Sequence, residues 1–260
     1  MDNTLGQQGS GQALPLSVAI ITKNEEANLP RLLDSVLPLN PAEIIIVDSG
    51  SDDRTVDIGR KYGARVIETD WPGHVKQKNR ALLACAQPWV LSLDADEPVS
   101  TELAEKIHGL LGGTEPEKNG YEIKRLTWYL GDWVRYAWYP EWRLRLVRRE
   151  VAEWVGNNPH DHLEVAGTTG RIDADIHHYS YKDVEDHFRR SIDYAKIGAQ
   201  ELYNHNRQFR WYKIVLSPVM RFIRLIILRQ GWRDGWRGWI IAWSSMFSAF
   251  LKYAFLYELH

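Results

Sequence analysis

Leu16-Ser-Val-Ala-Ile-Ile-Thr-Lys-Asn-Glu-Glu-Ala-Asn-Leu-Pro-Arg-Leu-Leu-Asp-Ser-Val-Leu37 divides into two kinds of pattern. Leu16 to Ile21 is a short apolar run of strand length, and Leu29, Leu32, Leu33, Val36 and Leu37 then recur at the spacing of one helical face. The same pair of patterns returns three more times. Ile44 to Val47 is a run of β-branched residues followed by a helix that should end near Gly63. Val66 and Ile67 belong to a third strand, followed by Val75, Asn79, Leu82, Leu83 and Ala86 at helical spacing. Trp89 to Leu93 is a fourth strand, followed by Leu103, Ile107, Leu110 and Leu111. Continuous apolar strands separated by helices predict an α/β fold, with a mostly parallel sheet covered by helices on both faces.

The alternation stops at a loop rich in Gly, Pro, Glu and Lys, from Gly112 to Gly120. Beyond it, Tyr121 to Val147 is aromatic and basic, with strands expected at Glu122 to Leu126 and Arg143 to Val147. Val165 to Ile176 fits no single pattern, and Lys182 to Asn204 is polar with a helical period. At the other end, residues 1–13 are rich in Gly, Gln and Ser, without the basic cluster and apolar core of a secretory signal, and read as a disordered tail.

Composition narrows the field. The chain has 260 residues, 44% hydrophobic and 25% charged, which suits a folded domain with an appendage and excludes disordered and collagen-like classes. Its single cysteine, Cys85, allows neither an internal disulfide nor a cysteine-based metal cluster, and fits a reducing compartment. The formal charge of −2 hides an asymmetry. From Arg207 to the end there are nine basic residues and two acidic ones, so this stretch carries +7 and the remainder −9.

In an open parallel sheet, ligands bind beyond the carboxyl ends of the strands. The first strand runs into Thr22-Lys23-Asn24-Glu25, the second into Asp48-Ser49-Gly50-Ser51-Asp52-Asp53, and the fourth into Asp94-Ala95-Asp96-Glu97. Carboxylates gathered on one edge repel one another unless a cation joins them, and oxygen ligands favour Mg²⁺ or Mn²⁺. A metal with open positions suits a nucleotide diphosphate. Neither a Gly-x-Gly-x-x-Gly turn nor a Gly-x-x-x-x-Gly-Lys-Ser/Thr loop follows a strand, which disfavours dinucleotide dehydrogenases and P-loop NTPases. A second Asp-x-Asp triplet, Asp173-Ala174-Asp175, follows no long apolar strand and reads as two surface carboxylates.

Four ordered segments, Leu16-Ser-Val-Ala-Ile-Ile-Thr-Lys-Asn-Glu-Glu, Ile44-Ile-Ile-Val-Asp-Ser-Gly-Ser-Asp-Asp, Lys76-x-Lys-Asn-Arg-Ala-Leu and Leu91-Ser-Leu-Asp-Ala-Asp-Glu, resemble the family-2 glycosyltransferases with the Rossmann-like GT-A fold. Arg143-Leu-Arg-Leu-Val-Arg-Arg, His160-Asp161 and His178-Tyr-Ser-Tyr resemble the subgroup containing bacterial lipopolysaccharide inner-core β-glucosyltransferases. The resemblance implies an inverting transfer of a hexose, with UDP-glucose as the expected donor, to a lipid-linked glycan. It implies that Thr22, Asn24, Glu25, Asp48 and Ser51 line the nucleoside pocket, and that Lys78 and Arg80 face the diphosphate or sugar. Asp94 would contact the ribose or sugar, Asp96 would bind Mg²⁺ or Mn²⁺, and His178 would orient the diphosphate or complete the metal shell.

Transfer also needs a base to deprotonate the acceptor hydroxyl. The subgroup has His-Glu where this chain has His160-Asp161, so Asp161 is the expected base, with Glu164 and His160 as alternatives. Competing readings for the same sequence are a polyprenyl-phosphate glycosyltransferase, a sugar nucleotidyltransferase, and a non-catalytic membrane-attached scaffold. The nucleotidyltransferase lacks its usual Gly-rich turn here, because Thr22-Lys23-Asn24-Glu25 contains no glycine.

The expected domain plan is a glycosyltransferase domain over 14–206, with a nucleotide-sugar half to residue 112 and an acceptor half from 113, followed by membrane-associating helices over 207–260. In the last segment, basic residues are interleaved with Trp211, Trp232, Trp236, Trp239 and Trp243, as at a membrane surface. Gly238 to Leu251 is uncharged but, at 14 residues, shorter than the ~20 of a spanning helix, so surface attachment is the expectation. The alternative is a core or dimer-interface helix pair, the latter making the chain a homo-oligomer. The high apolar content argues against a nucleic-acid partner. These features imply a cytoplasmic protein, peripheral on the inner face of the cell membrane.

Overall fold

A computed structural model describes the chain at residues 13–156 and 161–260. Residues 1–12 of the expected tail, and His160 among the candidate bases, lie outside the described residues. The chain forms two compact units, one of residues 13–122 and 144–172, the other of 123–143 and 173–260.

The first unit holds strands β1 (Leu14–Thr22), β2 (Pro41–Asp48), β3 (Arg65–Glu68) and β4 (Trp89–Asp94). Helices α1 (Leu29–Val36), α2 (Thr55–Lys61), α3 (His74–Ala84) and α4 (Thr101–Leu111) alternate with them as the periodicity predicts. β1 lies between β2 and β4, and β2 pairs with β3, all in parallel. Register places Thr22 opposite Asp48 and Ile21 opposite Asp94, so three strands end nearly flush at one edge.

Side-chain alternation sends one set of strand residues, Ala19, Ile45, Val47 and Val90, against Ala81, Leu82 and Cys85 near the end of α3. On the opposite face α2 approaches Ile46 and Val66 so closely that a Cβ on Gly59 would meet Ile46 at 2.9 Å. Helices therefore cover both faces, as an apolar parallel sheet requires. Burial raises the Cys85 thiol pKa to about 12, so it packs as a small apolar residue.

The chain then enters strands β5 (Gly120–Tyr129), β6 (Asp132–Val134) and β7 (Glu141–Arg148), which are antiparallel additions. In the first unit, Val90 and Leu91 of β4 pair with Val147 and Leu146 of β7. Beyond β7, β8 (Ala152–Val155) pairs antiparallel with β9 (His162–Val165).

The second unit contains the rest of β5, its partner β6, the end of β10 (Thr169–His178) and three helices, α5 (Val184–Asn204), α6 (Lys213–Ile223) and α7 (Trp236–Glu258). β5 and β6 join through Leu130-Gly131, both at positive φ, the geometry of a tight hairpin turn. Asp173 and Asp175 of the second Asp-x-Asp triplet both face Lys124 of β5, at 2.5 and 3.9 Å. Asp183 caps α5 by accepting the Asp186 N–H at 2.8 Å. Small residues every fourth position, Ser191, Ala195 and Ala199, are buried on α5, the helix that packs on α7. The C-terminal helices α6 and α7 belong to the same compact unit as α5.

The tail corrects one length argument. The uncharged run from Gly238 to Leu251 is only part of α7, which has 23 residues and is long and apolar enough by composition to cross a membrane. Gly238 does not break that helix. A Cβ at Gly238 would meet the Gly231 carbonyl oxygen at 1.7 Å, so glycine is required there by close backbone approach. Asp234, one of the two acidic residues in the basic stretch, accepts backbone N–H bonds from Arg135, Tyr136 and Ala137 at 2.8, 3.1 and 2.8 Å.

Candidate active site

Asp48 organises the first part of the site. Its side chain is fully buried at the end of β2, where Oδ1 accepts the N–H groups of Gly50 and Ser51 at 3.0 and 2.8 Å. Its Oδ2 accepts the hydroxyls of Thr22 and Ser51 at 2.7 and 2.6 Å. Four protein donors thus fill the four acceptor positions of one carboxylate. Instead of offering a free edge, Asp48 fixes the loops after β1 and β2. Those loops are also tied together by the Asn24 N–H to Ser51 Oγ bond at 2.8 Å, and by Asn24 Oδ1 accepting from the Asp52 N–H at 3.0 Å. Asn24 takes positive φ, which its short polar side chain tolerates. The Glu25 N–H donates to Thr55 Oγ1 at 2.8 Å. Thr22, Asn24, Asp48 and Ser51 therefore form one connected cluster, and Glu25, next to Asn24 in the chain, is tied to Thr55.

A second cluster centres on Lys78, which α3 carries into the interior. Its ammonium lies 3.0 Å from Asp94 Oδ1 and 2.9 Å from Asp161 Oδ2, with only 8% of the side chain exposed. The Trp154 ring lies against it, with its centroid 4.3 Å away. Asn79, the next residue on α3, secures that ring's position: its amide donates to the Trp154 carbonyl and accepts the Trp154 N–H, at 2.8 and 2.9 Å. On the other side of Asp94, Arg145 of β7 donates to Asp94 at 3.2 Å and to Glu97 at 2.7 Å. Glu97 is completely buried and its other oxygen accepts the Asp94 N–H at 3.1 Å. The result is a chain of alternating charge running Asp161, Lys78, Asp94, Arg145, Glu97.

Sequence reasoning assigned no role to Arg145, Glu97, Asn79 or Trp154. For Arg145 a signal was present: an arginine flanked by Leu144 and Leu146 in a strand that packs inward. Burying a charge at such a position demands an ionic partner.

The other expected residues sit as follows. Asp96 is half-buried in the turn that follows β4. Arg80 points to a different set of partners, donating to the Asp70 carboxylate and carbonyl at 2.8 and 3.1 Å. Glu164 is exposed on β9 and pairs with His162 at 3.0 Å. His178 ends β10 in the second unit, with Nδ1 3.5 Å from Thr127 Oγ1.

Among the described residues, no three His, Cys, Asp or Glu side chains gather into a ready-made metal cage. Asp94 is already held by Lys78 and Arg145, and the oxygen donors at this edge are of the kind a hard divalent cation takes.

Comparison with known proteins agrees with this geometry. Residues 17–167 match the family described as Glycosyl transferase family 2. The chain is similar to the lipopolysaccharide core biosynthesis glycosyltransferase LpsC of Rhizobium meliloti, at 31% identity over 259 residues, covering 95% of this chain and 93% of that protein. An uncharacterized glycosyltransferase of Rickettsia typhi is 30% identical over 255 residues, covering 94% of this chain and 87% of its own. Among solved structures, TarS 1–349 of S. aureus is similar in fold, with a TM-score of 0.50, 16% identity and 89% of each chain covered.

Proposed function

Because the chain belongs to glycosyl transferase family 2, we propose that it is an inverting, metal-dependent hexosyltransferase that moves glucose from UDP-glucose to a hydroxyl of a membrane-linked glycan. The similarity to LpsC supports lipopolysaccharide core biosynthesis as its setting, and hence a cytoplasmic enzyme associated with the membrane. One observation carries the reading. Three neighbouring parallel strands end at one edge in Thr22, Asp48 and Asp94, and a buried lysine there bridges Asp94 to the expected base, Asp161.

In this reading Asp48 acts through the hydroxyls and N–H groups it holds. Thr22, Asn24, Glu25 and Ser51 then present a fixed polar wall to the nucleoside. Asp94 faces the ribose or sugar, paired with Arg145 and Lys78 in a half-buried position. Asp96 would hold the divalent cation, and the family resemblance implies His178 as a further ligand. The bound cation would neutralise charge on the departing nucleoside diphosphate.

Asp161 supplies the base. Its carboxylate has a buried cationic neighbour, whereas Glu164 is exposed and paired with His162. When a diphosphate enters, Lys78 exchanges a carboxylate for a phosphate partner, and Asp161 becomes free to accept a proton. The acceptor hydroxyl passes its proton to Asp161 while its oxygen attacks the anomeric carbon. The bond from that carbon to the diphosphate oxygen breaks on the opposite face, so configuration inverts. Arg80 contributes positive charge toward the diphosphate from the Asp70 side of α3.

The exposed apolar residues of α6, α7 and the turn before α6, with Trp211, Leu216, Trp239 and Trp243 among them, support attachment to the membrane that carries the acceptor. The test is incubation of the full chain with Mg²⁺ or Mn²⁺, a truncated lipopolysaccharide acceptor, and UDP-, GDP-, ADP- and dTDP-sugars in turn. Release of a nucleoside diphosphate with sugar appearing on the acceptor is expected. Release of pyrophosphate would assign a nucleotidyltransferase, and no turnover or nucleotide binding would assign a scaffold.

A further inference from the structure

The second unit holds a cleft of about 390 Å³ where the end of α5 and the start of α6 meet the last turns of α7. Its polar lining is Asn206, Arg207, Gln208, Arg210, Lys213 and Tyr253, and it contains no carboxylate. Among the described residues, Arg207, Arg210 and Lys213 form no ion pair. Two of them instead have neutral aromatic neighbours. Arg210 donates to the Tyr212 hydroxyl at 3.1 Å, and Lys213 lies 5.7 Å from the Tyr253 ring centroid. Three like charges around one concavity repel one another, and an anion relieves that repulsion. Two guanidinium forks, an ammonium and two side-chain amides offer the donor set that phosphate oxygens accept.

The surroundings indicate where the phosphate would come from. Trp211, next to Arg210, is 74% exposed, and Val215 and Leu216, within one turn of Lys213, are 61% and 54% exposed. With Tyr212, Val219, Met220 and Ile223 they form an uncovered helical stripe. A soluble phosphate ester gains nothing from such a rim, whereas a lipid places apolar chains beside its phosphate. We propose that this cleft seats the headgroup phosphate of an anionic membrane lipid while the Trp211 to Ile223 stripe rests in the bilayer interface. The inference deepens the membrane-attachment reading and rests on it. It gives that attachment a defined phosphate site, separate from the transfer site.

The test uses the full chain in co-sedimentation with vesicles of phosphatidylcholine alone and of equimolar phosphatidylcholine and phosphatidylglycerol. Each basic residue at an anionic surface is worth about fivefold in binding, so Arg210→Gln with Lys213→Gln should weaken anionic-vesicle binding about 30-fold. Arg229→Gln with Arg233→Gln removes equal charge elsewhere in the unit and should cost clearly less. Circular dichroism and nucleotide binding check that both double variants remain folded, and the single substitution Arg207→Gln replaces the first pair if that pair does not fold. Equal losses for the two pairs would overturn the cleft while leaving membrane attachment intact. Binding of the wild type to neither vesicle would overturn both. Tight binding of inorganic phosphate alone, blocking vesicle capture, would assign the cleft to a soluble ligand.

Discussion

His187 gives a quantitative forecast for the second unit. It lies on α5, 3% exposed, with Nδ1 2.6 Å from the Tyr129 hydroxyl and Nε2 3.0 Å from the Ser244 hydroxyl. Burial lowers its pKa from 6.5 to about 4, the nearby Asp186 opposing only part of that effect. The folded chain therefore keeps this imidazole neutral at pH values where the unfolded chain protonates it. Above pH 6.5 the difference contributes nothing to the pH dependence. As pH falls from there toward 4 the unfolded state binds the extra proton and stability is lost, and below 4 both states are protonated and the loss stops. At ~1.4 kcal/mol per pH unit, the full loss is about 3 kcal/mol, a large part of a typical domain's stability. The assay is urea unfolding of the wild type and of His187→Gln from pH 7.5 to 4, followed by circular dichroism. The variant starts less stable, because it gives up at least one hydrogen bond, but its stability should fall by about 3 kcal/mol less over that range. Parallel pH curves for the two proteins would refute the reasoning.

Three outcomes are expected at the transfer site. Asp161→Asn should lower turnover by about 10² to 10⁴ without weakening calorimetric donor affinity, and near-normal turnover would remove Asp161 as the base. Lys78→Met leaves Asp161 without its buried cation and Asp94 with Arg145 alone, so urea unfolding should show a loss of about 3 kcal/mol; an unchanged midpoint would show the ion pairs to be dispensable. Thr22→Val deprives buried Asp48 of one donor and should cost about 1 to 3 kcal/mol with weakened nucleotide binding, whereas unaltered binding would detach Asp48 from the nucleoside wall.

The alternation from β1 to α4 was legible in the sequence because its strands are continuous apolar runs and its helices keep a clean period. β2 illustrates the limit at element ends: Pro41-Ala-Glu extends the Ile44 to Val47 run by pairing with β1, a tertiary effect that local pattern does not carry. β6 escaped notice because its hairpin turn is Leu130-Gly131 and not the usual Asn-Gly or Asp-Gly. β10 takes up most of the stretch that fitted no single pattern, since its apolar residues alternate with polar ones and β9 ends where the stretch begins. At the site, the acidic edge followed from where apolar strands stop. The partnering of Arg145 with Glu97, and of Asn79 with Trp154, joins residues 48 and 75 positions apart and depends on how β7 and β8 fold back. Gly238, at the start of the uncharged run, is a point of close backbone contact with Gly231, which local pattern does not reveal.

The account turns on carboxylates at the edge of the parallel strands gripping a nucleoside diphosphate through a divalent cation. Titration calorimetry of UDP into the wild type and Asp96→Asn, each with and without Mg²⁺ or Mn²⁺, measures that grip directly. The account predicts that the metal strengthens binding to the wild type and that Asp96→Asn abolishes the gain. Equal affinity in all four conditions would contradict it.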